Sequence, residues 1–116
     1  MSESPKIPDD PLYELLREGN VDIFNEEKRK RTVVDLSGCD FRGVDLQGLE
    51  ADGIDFSSCY FRQADLRGVD LRKARLEGAS LHGARIAGAW FPAELSADEI
   101  QLSVVRGTRM RYRQNG

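Results

Sequence analysis

The stretch DLSGCDFRGVDLQGL, residues 35–49, places a large apolar residue at every fifth position: Leu36, Phe41 and Leu46. The beat runs unbroken over residues 34–93, with further centres at Ala51, Phe56, Phe61, Leu66, Leu71, Leu76, Leu81, Ile86 and Phe91. Two residues before each centre stands a second apolar residue. Val34, Cys39 and Cys59 are examples, and the last stretch uses only alanine. Between the two lies an acid at Asp35, Asp40, Asp45, Asp55, Asp65 and Asp70. Gly follows two residues after the centre in eight of the twelve units.

Those positions dictate the local structure. Apolar, polar, apolar over three residues is strand alternation, with both apolar side chains on one face. Gly two residues after the centre supplies the positive φ that the third residue of a type II turn needs. Each unit is therefore a very short strand and a corner. Ser58, Gln63, Lys73 and Ala93 stand where the other units have Gly, so another turn type is expected there. A period of five cannot make a helix, because it fits neither 3.6 nor its multiples. The chain must coil, with successive coils stacked as parallel strands about 4.8 Å apart.

The number of corners per coil follows from the longer period. Residues 34–53 share 8 identities with the window 20 residues on, 4 at an offset of 15 and 7 at an offset of 25. SGCDFR at 37–42 returns as SSCYFR at 57–62, outside the consensus of the unit, which favours 20. Four corners per coil make about three coils. The inward ladder then holds Leu36, Phe56 and Leu76, Phe41, Phe61 and Leu81, with Cys39 and Cys59 stacked on the same inner ladder. Ala51 is a small centre, and Leu49 on the same unit compensates in volume.

DLSGCDFRGVDLQGL and ADLRGVDLRKARLEGASLHGARI (residues 64–86) resemble the pentapeptide-repeat proteins, whose units look like Ala-Asp-Leu-x-x. The resemblance implies an all-β solenoid: a right-handed, four-sided β-helix with no enzymatic site of its own. It also implies that a C-terminal segment can mediate a homodimer. Some members of the family imitate duplex DNA and bind type II topoisomerases. Such a mimic needs a long acidic rod, whereas three coils span only about 14 Å.

Both ends of such a stack need caps. Over residues 1–33 the sequence offers a tail and a helical cap. Asp10 is the N-cap, Pro11 the first helical residue, Leu12, Leu15 and Leu16 the apolar stripe, and Gly19 the stop. A second helix is expected after Asn20, carrying Val21, Ile23 and Phe24. Over residues 94–116, Ser96 and Glu99 fit a capping box. A helix over 97–106 would present Ile100 and Val104 and stop at Gly107. GTRMRYR at 107–113 then reads as a strand or an ordered arm, which either folds back on the last coil or crosses to a second copy. Residues 1–8 and 114–116 are expected to be loose tails.

Each candidate site has a plain structural explanation. Cys39 and Cys59 are expected as reduced core thiols, at neither disulfide geometry nor zinc spacing. His82, on an outward position above Arg42 and Arg62, is expected as a solvated side chain with no nucleophile beside it. The columns of Asp suit strand ends where a carboxylate accepts a backbone N–H, so they call for neither metal nor acid–base chemistry. KRKR at 28–31 complements a helix C-terminus. Tyr60 and Trp90 occupy polar positions, and Trp90 is expected to pack under the C-terminal cap. Together with Arg106, Arg109, Arg111, Tyr112 and Arg113 they form the candidate interaction surface.

Charge supplies the remaining clue. With 17 basic and 20 acidic residues the net charge is −3, which disfavours a nucleic-acid grip driven by bulk charge. A weak anion or nucleic-acid contact through the basic C-terminal arm is the alternative. The near balance hides two halves: residues 1–53 carry −6 and residues 54–116 carry +3. Some of this is expected to match internally, Asp52 beneath Arg72, Asp55 beneath Arg75 and Asp65 beneath Arg85. No apolar run approaches the roughly 18 residues of a membrane span. MSESPKIPDD at 1–10 lacks a secretory core, so the expected compartment is the cytoplasm. The functional expectation is a non-catalytic protein-interaction or scaffold module with an unidentified protein partner, no membrane and no cofactor.

Overall fold

A computed structural model describes residues 5–114. In chain order its elements are α1 (Pro11–Arg17), α2 (Val21–Lys28), β1 (Val34–Asp35), β2 (Ile54–Asp55) and α3 (Ala97–Arg106). Among the described residues regular β-structure is confined to β1 and β2, which pair in parallel with Val34 opposite Ile54. This is far less strand than an all-β architecture suggests. The cause is the corner in every fifth residue, which cuts each ladder after one or two residues. Beyond β1 and β2 the ladder survives as isolated parallel bridges, among them Asp40 with Tyr60, Asp45 with Asp65, Asp65 with Arg85 and Asp70 with Trp90. All of these join residues twenty apart. The backbone bonds agree: Leu66 N–H donates to the Arg85 carbonyl at 2.8 Å, and Arg85 N–H to the Ala64 carbonyl at 2.9 Å.

At every centre from Leu36 to Ile86 the corner is closed by a bond from the third residue after the centre back to the centre's carbonyl, as from Val44 to Phe41 at 3.2 Å and from Ala64 to Phe61 at 3.0 Å. Gly43 shows the corner conformation, with φ +72°. The corners without Gly divide. Ser58 and Gln63 keep the left-handed conformation, both at φ +58°, so a different turn there is not what forms. Lys73 and Ala93 are not among the positive-φ residues.

The inward positions make the core. Leu36, Cys39, Phe41, Phe56, Cys59, Phe61, Leu76 and Leu81 are all buried, as are Leu49 and Ala51. Phe41, Phe56 and Phe61 pack with ring centroids 5.3–5.6 Å apart, and Tyr13 joins them at 5.4 Å from Phe41. Outside, every one of Asp35, Asp40, Asp45, Asp55, Asp65 and Asp70 accepts the N–H of the second residue after it, at 2.9–3.2 Å. That bond holds the chain in the bend that the corner requires.

The N-terminal segment bonds to backbone groups of the first repeat units. Asp10 caps α1 through Leu12 N–H at 2.8 Å, and Tyr13 Oη donates to the Asp40 carbonyl at 2.6 Å. Residues 5–8 are not wholly a loose tail, because Lys6 forms a parallel bridge to Cys39. Residues 1–4 and 115–116 lie outside the described residues. In α2, Val21 and Phe24 are buried, but Ile23 is 50% exposed and Asn25 takes a buried place. At the other end Ser96 accepts Glu99 N–H at 3.2 Å, and Gly107 ends α3 at φ +74°. The reciprocal half of the capping box is missing: Glu99 Oε1 accepts Arg111 N–H at 2.7 Å instead.

Candidate interaction surface

Residues 107–113 fold back along the repeat units at 76–80. Arg109 forms an antiparallel bridge to Ser80, and Gly78 N–H donates to the Met110 carbonyl at 2.7 Å. Met110 is buried and Tyr112 half-buried, while Thr108 is exposed. Leu76 N–H donates to Tyr112 Oη at 2.8 Å, Leu81 N–H to Ser103 Oγ at 2.8 Å and Gly83 N–H to the Val104 carbonyl at 2.9 Å. The cap thus covers the edge over 76–83. Arg85, Ala87, Gly88 and Trp90 beyond it stay exposed, while Ala84 and Pro92 are buried.

That placement explains Trp90, which is 58% exposed rather than packed under α3. Arg72 lies 4.7 Å from the centre of its ring and forms a salt bridge to Asp70 at 2.8 Å. The indole therefore stands on a fixed guanidinium, with its outer surface open. Beside this corner runs a concavity lined by Arg72, Lys73, Arg75, Pro92, Glu94 and Tyr112. Arg75 lies 5.7 Å from the Tyr112 ring.

The other candidates are used differently. Tyr60 is half-buried. Its hydroxyl accepts a bond from Arg109, whose guanidinium lies 5.1 Å from the ring centre. Arg109 also donates to the Gly78 carbonyl at 3.3 Å, and Arg113 to the Ala93 carbonyl at 2.5 Å. Arg106 and Arg111 remain exposed. The arm's arginines are thus partly spent on their own chain and do not form a comb for an anionic polymer. His82 is half-buried and lies against the end of α3. A Cβ added at Gly107 would come within 2.7 Å of its Nδ1, so the expectation of a solvated side chain fails. The arm and α3 that cover it could not be placed from the repeat alone.

The chemistry of the remaining groups is quiet. Both cysteines are free and buried. Cys59 Sγ donates to the Leu36 carbonyl at 2.9 Å, and burial pushes its thiol far above the ordinary range; burial also raises Cys39. A thiol so held is a poor nucleophile. Among the described residues no group of three His, Cys, Asp or Glu side chains could hold a metal ion. The expected pairs between coils are replaced by pairs within a unit: Arg67 with Asp65 at 2.7 Å and Arg72 with Asp70 at 2.8 Å. The same strand-end bend that gives Asp its backbone bond brings the side chain two residues on within reach. Beyond the lone Trp90, sequence reasoning missed Arg72 as its support and Asn25 as a capping residue. A polar residue beside Phe24 on the buried side of α2 was the available signal for Asn25.

A family model described as pentapeptide repeats, in eight copies, matches residues 34–58 and 59–91. No curated protein and no solved structure matches the chain. Among the described residues no helix is long and apolar enough to cross a membrane.

Proposed function

This chain belongs to the pentapeptide-repeat family, and from that premise we propose that it is a non-catalytic protein-interaction module. We further propose that the repeat forms a right-handed, four-sided β-helix of about three coils with helical caps at both ends. The twenty-residue ladder and the four corners in each twenty residues support that form. The carrying observation for function is Trp90, exposed and seated on Arg72, which itself lines a concavity of mixed charge with Asp55, Lys73, Arg75, Glu94 and Tyr112. Trp and Arg are the side chains that most often anchor protein interfaces, because they offer a large rigid area and directed polar contacts.

The test uses the intact chain and its Trp90→Ala variant as baits in the same extract. A protein retained by the intact chain and lost with Trp90→Ala supports the reading. Identical sets on both baits would refute Trp90 as the anchor.

A further inference from the structure

Between Ala84 and Phe91 five backbone groups have no partner among the described residues: the carbonyls of Ala84 and Ala89 and the N–H groups of Ile86, Gly88 and Phe91. Twenty residues earlier the five equivalent groups are all bonded to this segment. The Ala64 carbonyl accepts Arg85 N–H at 2.9 Å, and Leu66 N–H donates to the Arg85 carbonyl at 2.8 Å. Gly68 N–H donates to the Ala87 carbonyl at 3.0 Å. The Val69 carbonyl accepts Trp90 N–H at 2.9 Å, and Leu71 N–H donates to the Trp90 carbonyl at 2.7 Å. The ladder over 84–91 is therefore made on one side and open on the other. Over 76–83 the same side is closed by Tyr112, Met110, Ser103 and Val104. An open row of such groups is a template for a further strand.

Charge selects what fits there. From Leu81 to Ala93 no Asp, Glu or Lys occurs, and Arg85 is the only Arg. It is exposed and forms no ion pair among the described residues. Asp65, its neighbour across the ladder, is held by Arg67 at 2.7 Å. The bond from Gly83 N–H to the Val104 carbonyl brings the last turn of α3, with exposed Arg106, to the corner before Ala84. The acids of α3, Asp98 and Glu99, stand in its first turn, roughly 8 Å back along the axis from Val104. Glu99 is bonded there to Arg111 N–H, next to Tyr112 and its contact with Leu76. Ile86 and Phe91 are only partly buried at the open edge.

We propose that an extended acidic segment of a partner protein adds as the next strand along residues 84–88. An Asp or Glu of that segment, set over Arg85, donates its N–H to the Ala84 carbonyl and accepts Ile86 N–H on its own carbonyl. The apolar residue after it stacks over Ile86, and the carbonyl of the residue after that accepts Gly88 N–H. These repeat the bonds that Arg85 and Ala87 make with the units twenty residues earlier. The acidic side chain faces Arg85 and Arg106, whereas a basic one would be repelled. All of these bonds come from the backbone of the edge and do not depend on Trp90.

Amide proton exchange of the full chain tests it, with a blocked heptapeptide of alternating glutamate and valine as the probe. In the free chain the Ile86 and Gly88 amides should exchange fast at every protein concentration, and saturating peptide should slow both at least about tenfold. The same peptide N-methylated at its glutamates, and one with lysine in place of glutamate, should each bind roughly tenfold more weakly. Arg85→Glu, first shown by circular dichroism to keep the native fold, should reverse the preference between the acidic and basic peptides. Arg85→Gln replaces it if it does not fold, and should reduce the preference. Trp90→Ala should still show the slowed exchange, so failure of the Trp90 anchor and failure of this edge read out separately. No binding at about 1 mM peptide overturns the proposal. So does equal binding of the N-methylated peptide, or unchanged exchange at saturation. Protection of Ile86 and Gly88 in the free chain overturns it too: if it rises with concentration, a second copy covers the edge, and if it is constant, the chain covers its own edge.

Discussion

The carboxamide of Asn25 serves the first coil as the peptide of Lys6 does. Lys6 N–H donates to the Gly38 carbonyl at 2.8 Å, and its carbonyl accepts Asp40 N–H at 2.9 Å. Ten residues on, Asn25 Nδ2 donates to the Gly48 carbonyl and Oδ1 accepts Glu50 N–H, both at 3.0 Å. One side chain stands in for a rung of the ladder that the chain does not supply there. Beside it Arg29 pairs with Glu50 and holds the same strand end.

Removal of that rung should be costly. Asn25→Ala leaves an acceptor and a donor without partners under a buried helix face, a loss of about 1–3 kcal/mol. Asn25→Asp keeps the bond from Glu50 but loses the one to Gly48, so it should also destabilise. Urea unfolding of the three chains measures this, and equal midpoints would show that the carboxamide contributes nothing.

The corners make a paired prediction. Gly43 stands at φ +72° with nothing within 4 Å of an added Cβ, so Gly43→Ala meets a backbone penalty and no clash. It should cost about 1 kcal/mol. Ser58→Gly and Gln63→Gly relieve residues held at φ +58° and should raise stability by up to about 1 kcal/mol each. The same urea midpoints decide the matter, and a Gln63→Gly chain less stable than the parent would contradict the turn conformation.

The thiols should be protected in the native state. Burial raises both, Cys59 the more strongly. At about pH 8 a thiol reagent should label Cys59 at least about a hundredfold more slowly than free cysteine, and both thiols should react at once in denaturant. Labelling of the native chain at the free rate would mean that the inner ladder opens.

Acid should weaken the fold within a defined window. The bond from Arg72 holds the Asp70 carboxyl at about 2, and Asp35, Asp65 and Glu50 are lowered through Ser37, Arg67 and Arg29. In the unfolded chain these groups titrate near about 4. Their stabilisation is therefore full above that value and lost as pH falls towards the folded values. The melting temperature should hold from about pH 7 to 5 and fall between about pH 4 and 2. A melting temperature unchanged down to about pH 2 would show that these carboxylates contribute nothing.

Legibility in the sequence followed periodicity. The inward ladder, the Asp bonds to the backbone and the helix caps at Asp10 and Ser96 each follow from residue type at a local spacing. The misplaced residues depend on where one segment lies over another. Trp90 and His82 were exchanged in burial because the path of α3 and the arm over the last coil leaves no periodic trace. The ion pairs went to the nearer residue, two along the chain, where the Asp bend makes the reach short. Ile23 and Asn25 exchanged places on α2 because the first coil there offers backbone groups, which an amide can satisfy and an aliphatic side chain cannot.

The twenty-residue ladder underlies the corners and the segments that cover its edges, and amide proton contacts in solution measure it most directly. Nuclear Overhauser effects in the labelled protein should link the strand of Asp45 to that of Asp65, and Asp65 to Arg85, as the bridges do. Contacts at this spacing on each side of the stack are the predicted result. Contacts five residues out of this register, or none between successive coils, would contradict it.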